Sequence, residues 1–206
     1  MLTKQSQRII EQLHDRRRVK VVYKRNSLFM KILSKLLFFN KNFMDNATTT
    51  IGRTIYLSNN FDKREEPAKI ATLVHEYVHI LQSEEDILFP ILYLIPQFLV
   101  LYSLLAIPFG SFFLLFLLAI LPFPAVYRAL YEAEAYAVSL YIKDKSGGYD
   151  MKAELDFVIK TFTGPSYYFM MPFKTTMENW ITEQVLHIKE GQPTLNQRVA
   201  LELLAA

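Results

Sequence analysis

Two histidines stand four residues apart in His75-Glu76-Tyr77-Val78-His79, with a glutamate directly after the first. On a helix this spacing puts both imidazoles on one face, within reach of a single ion, and Glu76 beside them. A zinc ion held by neutral nitrogens keeps its positive charge and lowers the pKa of a bound water towards ~7. The adjacent carboxylate can take that water's proton during attack on a peptide carbonyl and later pass it to the leaving amine. The expected chemistry is zinc-dependent hydrolysis of a protein or peptide, with His75 and His79 as metal ligands and Glu76 as general base. The plain alternative is a pair of ordinary helix histidines.

The motif must be carried by a helix, and its surroundings predict one. Pro67 suits a first helical turn, and Ile70, Leu73, Val74, Tyr77, Val78 and Leu81 recur at helical spacing, so a helix is expected from about Pro67 to Gln82. Ser83-Glu84-Glu85-Asp86 reads as a break and a new N-cap. Upstream, Thr50 to Ser58 reads as one strand and Val19 to Tyr23 as a shorter one.

A strand followed by an HExxH helix resembles the zincin metallopeptidases, in which a strand edge beside the motif helix aligns substrate as an added strand. The metzincin pattern would need Gly and His where Gln82 and Glu85 stand. The gluzincin pattern completes the site with a Glu on a later helix, often as Glu-x-x-Ala, which Glu132-Ala133-Glu134-Ala135 matches. The resemblance thus implies Glu132 or Glu134 as third ligand. Two residues apart on a helix, they point about 200° away from each other, so only one can face an ion. Glu132 has Ala129 and Ala135 on its side, leaving room for another helix, whereas Glu134 shares its side with Leu130, Tyr131 and Val138. Glu132 is the preferred candidate, and Arg128, one turn before it, could orient that carboxylate or merely pair with it in solvent.

The 206 residues suffice for a single domain, residues 1–206. The absence of cysteine excludes thiolate ligands and leaves His, Asp and Glu to hold a metal. The first residues lack the apolar run of a cleavable signal peptide. Residues 1–41 carry 11 Lys or Arg against 2 acids, and in Ser27 to Phe39 the residues Lys31 and Lys35 sit among Leu28, Phe29, Ile32 and Leu33. Residues 1–45 therefore read as a basic amphipathic segment, with anionic membrane lipid as natural partner or the protein's own core as the alternative.

Residues 87–127 are 41 consecutive positions without Asp, Glu, Lys, Arg or His. As helix such a run reaches roughly 60 Å, about two crossings of a ~30 Å hydrocarbon layer. Phe109-Gly110 is a plausible turn between two helices, although Pro90, Pro96, Pro122 and Pro124 interrupt the run, so a re-entrant or kinked arrangement and a helical hairpin buried in a soluble protein are the alternatives. A hairpin would return Glu132 to the side of His75 and His79, and the basic flanks would put the site on the cytoplasmic face of a membrane. This arrangement resembles membrane-integral gluzincins of the HtpX and CAAX-prenyl-protease type. Tyr136 stands where those carry Asp, and their usual pair of N-terminal spans is missing.

The expected fold is mainly α with a small β-sheet, an α+β zincin-like arrangement, with an apolar helical hairpin between the HExxH helix and the third-ligand helix. Further helices are expected over Ala125 to Asp144, Asp150 to Thr161 and Lys174 to Lys189, followed by a short amphipathic end. Tyr167 or Tyr168 could donate to an oxyanion, but an aromatic loop packed on core or membrane is the favoured reading. His14 and His187 read as surface or structural residues, and nothing resembles a nucleic-acid reader. Two other classes compete: a non-catalytic membrane-hairpin protein, and a protein whose metal site serves structure alone.

Overall fold

A computed structural model describes residues 3–37, 40, 42–94, 102–120, 124–164 and 170–205. The expected strand over Thr50 to Ser58 is instead a hairpin. β2 (Thr49–Ile51) and β3 (Thr54–Leu57) pair antiparallel across Gly52-Arg53, and β1 (Lys20–Tyr23) joins β3 in parallel. The order β1-β3-β2 makes β2 an edge strand. Gly52 supplies the positive φ of +55° that this two-residue turn requires, the signal that identifies a hairpin in the sequence.

Helix α1 (Lys4–Arg17) precedes the sheet and α2 (Leu28–Leu36) follows β1. The expected end of α2 at Phe39 lies outside the described residues. Helix α3 (Glu66–Glu85) carries the HExxH motif and runs through Ser83 and Glu84 without the expected break, ending at Asp86. From Leu73 to Gln82 every residue of α3 is buried. It is a central helix, packed chiefly on α6 (Val126–Ser146) and also on α9 (Leu195–Ala205) and α1. Small residues on α6, Ala135 and Ala137 among them, let α3 approach closely, whereas Ala129, expected on that side, packs with Ala133 in the second core. Helices α7 (Met151–Thr163) and α8 (Lys174–Lys189) cover the other side of α6, where Phe162, Met177 and Ile181 form a second core. Asp150 caps α7 by accepting from the backbone N–H groups of Lys152 and Ala153. The expectation of a mainly helical chain with a small sheet agrees with this architecture.

The expected membrane placement does not. Among the described residues no helix is long and apolar enough to cross a membrane. Within residues 87–127 the chain forms α4 (Phe89–Leu94), α5 (Ala106–Phe109) and a 3-10 helix, Ser111–Ile120. Helix α4 has 6 residues and α5 has 4, roughly 9 and 6 Å of helix; the 10-residue 3-10 segment spans about 20 Å, so each is well short of ~30 Å. Gly110 at φ +103° stops α5, and Pro90 sits in the first turn of α4. Apolar composition alone had suggested two spanning helices, and local backbone breaks prevent them. The two-helix hairpin is not shown, and the cytoplasm-facing membrane topology built on it falls with it. Pro96 and Pro122 lie outside the described residues.

One buried charge beside the motif has a measurable consequence. Lys24 is wholly buried, donating to the Phe43 carbonyl at 2.8 Å and to Thr49 Oγ1 at 2.7 Å. Burial pushes its ammonium down to about 8, with the Glu76 carboxylate opposing the shift. Between pH 8 and its ordinary 10.5 the unfolded chain binds more protons at this site, so stability rises with pH across that window. The gain is on the order of 2–3 kcal/mol. Chemical denaturation at pH 7.5 and pH 10 is expected to show it in the parent, and the pH-dependent difference to shrink in Lys24→Met.

Candidate metal centre

Two helix faces meet at the centre. On α3, His75, His79 and Gln82 follow one another at i, i+4 and i+7; on α6, Glu132, Tyr136 and Ser139 do the same. The helices run antiparallel, so Ser139 lies by the first histidine and the Tyr131 turn by Gln82. His75, His79 and Glu132 are all buried, and their ligand atoms lie close together. His75 Nε2 and His79 Nε2 are 3.2 Å apart, and Glu132 Oε2 is 3.5 Å from the first and 3.6 Å from the second. Around a tetrahedral ion with donor distances of ~2.0–2.2 Å, neighbouring ligand atoms stand roughly 3.3–3.6 Å apart. The triangle matches that spacing.

The hydrogen bonds behind the ligands fix which atoms face inward. Ser139 donates to the Ala71 carbonyl at 3.2 Å, so its oxygen accepts from His75 Nδ1 at 3.3 Å. His79 Nδ1 donates to Gln82 Oε1 at 2.8 Å. With both Nδ1 atoms carrying protons, both neutral imidazoles turn an Nε2 lone pair inward. Glu132 Oε2 is buried with no hydrogen-bond partner, and Tyr93 on α4 donates to its other oxygen, Oε1. Three acceptors that converge without a donor need a positive charge among them.

The titration of the pair expresses the same need. Burial opposes an imidazolium at His79, but the negative charge of Glu132 outweighs burial and lifts the group to about 9. Burial likewise works against a charged Glu132, and the two histidines reverse that and hold it well below the usual carboxylate range. A proton can serve in place of an ion, and the donor set of two imidazoles and a carboxylate fits a metal ion.

Glu76 sits beside the triangle and outside it. Thr50, on edge strand β2, donates to its Oε2 at 2.7 Å. Burial lowers the Arg64 guanidinium, and the nearby Glu76 carboxylate resists the shift, as it does at Lys24. The charge of the candidate base is therefore felt by His79 as well as by two cations, Lys24 and Arg64.

Of the two acidic candidates, the structure brings Glu132 to the histidines and turns Glu134 towards Gln82, to whose Nε2 it stands at 2.6 Å. Arg128 stacks over the ring of Tyr93, 4.9 Å from its centroid, and that tyrosine donates to Glu132 Oε1. Tyr136 packs edge-on against His75, with ring centroids 4.5 Å apart. His14 is exposed and His187 half-buried, both away from the centre. Tyr167 and Tyr168 lie outside the described residues.

Sequence reasoning missed Thr50, Tyr93, Gln82 and Ser139. The last two were open to inference, because each lies seven residues from a candidate ligand on the same helix face. Tyr93 predicts a measurable effect: Tyr93→Phe removes a donor to Glu132 Oε1 and is expected to weaken metal binding about 10–100-fold. A competition titration against a chromophoric chelator checks it.

No family model matches this chain, and no curated protein or solved structure matches it significantly.

Proposed function

We propose that this protein is a zinc-dependent metallopeptidase of the gluzincin kind, hydrolysing peptide bonds in a protein or peptide substrate. The observation that carries the reading is the triangle of His75 Nε2, His79 Nε2 and Glu132 Oε2, with Glu76 beside it. Zinc bound there would supply a Lewis acid that acidifies a water and polarises a carbonyl. Glu76 takes the proton of the attacking water and delivers it to the leaving amine. Thr50 orients the Glu76 carboxylate, and because Thr50 belongs to edge strand β2, an extended substrate paired along β2 would pass the base.

The test is hydrolysis of casein by protein loaded with one zinc per chain, inhibited by 1,10-phenanthroline and restored by zinc. Full zinc occupancy without cleavage would contradict the reading.

One observation favours a second reading, a metal site that serves structure alone. Helix α4 covers the ligands, with Phe89 6.4 Å and Tyr93 5.8 Å from the His79 ring, and closed sites are typical of structural zinc. Under that reading chelation lowers the melting temperature steeply and no substrate is cut.

A further inference from the structure

Behind His79 a chain of hydrogen bonds leaves the motif and ends at the start of α9. Gln82 accepts from His79 Nδ1 at 2.8 Å through Oε1. Its Nε2 donates to the Tyr131 carbonyl at 3.0 Å and to Glu134 Oε2 at 2.6 Å. The other oxygen of Glu134, Oε1, accepts from the Thr194 hydroxyl. Thr194 is the N-cap of α9: its Oγ1 accepts from Gln197 N at 3.2 Å, and its own N–H donates to Gln197 Oε1 at 3.0 Å, a reciprocal capping pair. Gln197 Nε2 then donates to the Glu134 carbonyl at 3.3 Å and to Gln184 Oε1 at 2.8 Å.

The polarity of this chain has a single consistent direction. The Tyr131 carbonyl only accepts, and so does an ionised Glu134, so the two protons of the Gln82 amide must both point at them. Oε1 of Gln82 is then forced towards His79, whose Nδ1 must be the donor. The remaining nitrogen, Nε2, is left with its lone pair towards Glu132 and His75. A neutral partner at position 134 weakens the constraint: an amide there can donate to Gln82 Oε1, which leaves only the Tyr131 carbonyl, 3.0 Å from the Gln82 amide, to oppose turning its NH2 towards His79. The imidazole would accept at Nδ1 and carry its proton on Nε2, the tautomer that cannot ligate through that atom.

We propose that Glu134, anchored by Thr194, is a positioning residue that selects the ligating tautomer of His79, making the start of α9 a working part of the metal centre. The proposal rests on the reading of His75, His79 and Glu132 as metal ligands. Neither Glu134 nor Thr194 touches the ion position; both act through Gln82.

Two measurements on full-length protein test it. The first is the His79 tautomer of the metal-free protein, read above the ring's measured titration midpoint by long-range proton–nitrogen correlation of 15N-labelled imidazoles. The parent is expected to carry its proton on Nδ1, and Glu134→Gln to populate the Nε2–H form. Retention of the Nδ1–H form in Glu134→Gln overturns the proposal, whatever the variant's melting temperature. The second is a zinc competition titration, in which Glu134→Gln is expected to bind about 10–100-fold more weakly than the parent. Should Glu134→Gln fail to fold, Thr194→Val carries the test. Zinc binding weakened about threefold or more, with unchanged melting of the metal-free protein, supports the relay; parent affinity overturns it. If the parent itself binds no zinc, the metal reading fails on the titration alone, while the tautomer measurement still decides the relay.

Discussion

Replacing Glu76 with glutamine is expected to lower peptide hydrolysis by roughly 10²–10⁴-fold and to leave the metal in place. Glu76 stands outside the triangle of ligand atoms, so its loss removes no ligand. The glutamine keeps the volume of the buried side chain, and its carbonyl oxygen can still accept from Thr50, as Glu76 Oε2 does at 2.7 Å. It cannot accept a proton from water near neutral pH, which is the one property the reaction needs. Lys24, Arg64 and His79 each lose a neighbouring negative charge. The check is kcat/KM on a peptide substrate beside elemental analysis of the same sample. Retained turnover would remove Glu76 from the mechanism, and loss of metal would make it a ligand.

The other large effect belongs to Glu132. Structural zinc sites bind with an apparent ~10–16 kcal/mol shared among about four ligands, so deleting one ligand is expected to weaken binding by roughly 10²–10³-fold. Glu132→Ala does more than remove a donor. It strips Tyr93 of its acceptor, opens a gap at a position only 2 % exposed, and leaves His79 without the carboxylate that lifts its imidazolium to about 9. Glu132→Gln separates these effects by keeping the volume and one carbonyl oxygen while removing the charge. Both variants are measured by zinc competition titration, with circular dichroism to establish that the helices persist. An affinity within tenfold of the parent in both would show that Glu132 does not hold the ion.

Much of this centre was legible in the sequence because helix periodicity is a strict geometric rule. Spacing alone placed His75 and His79 on one face, and the opposed directions of Glu132 and Glu134 allowed only one of them to meet that face. The rest depended on contacts between distant segments. Thr50 reaches Glu76 from 26 residues away, through a hairpin that was read as a single strand because the Gly52 turn went unrecognised. Tyr93 reaches Glu132 across 39 residues, from a segment whose apolar composition suggested a membrane and obscured its short helical pieces. Composition reports what a segment can be buried against, and Pro and Gly positions decide how far its helices run. In residues 87–127 the second signal outweighed the first.

Zinc K-edge X-ray absorption of the protein reconstituted with one equivalent of zinc tests the convergence of these side chains most directly. The account predicts about four nitrogen or oxygen donors at ~2.0–2.1 Å, with the outer-shell scattering of two imidazoles that vanishes in a His75→Ala, His79→Ala variant. A six-oxygen shell without imidazole scattering would contradict it.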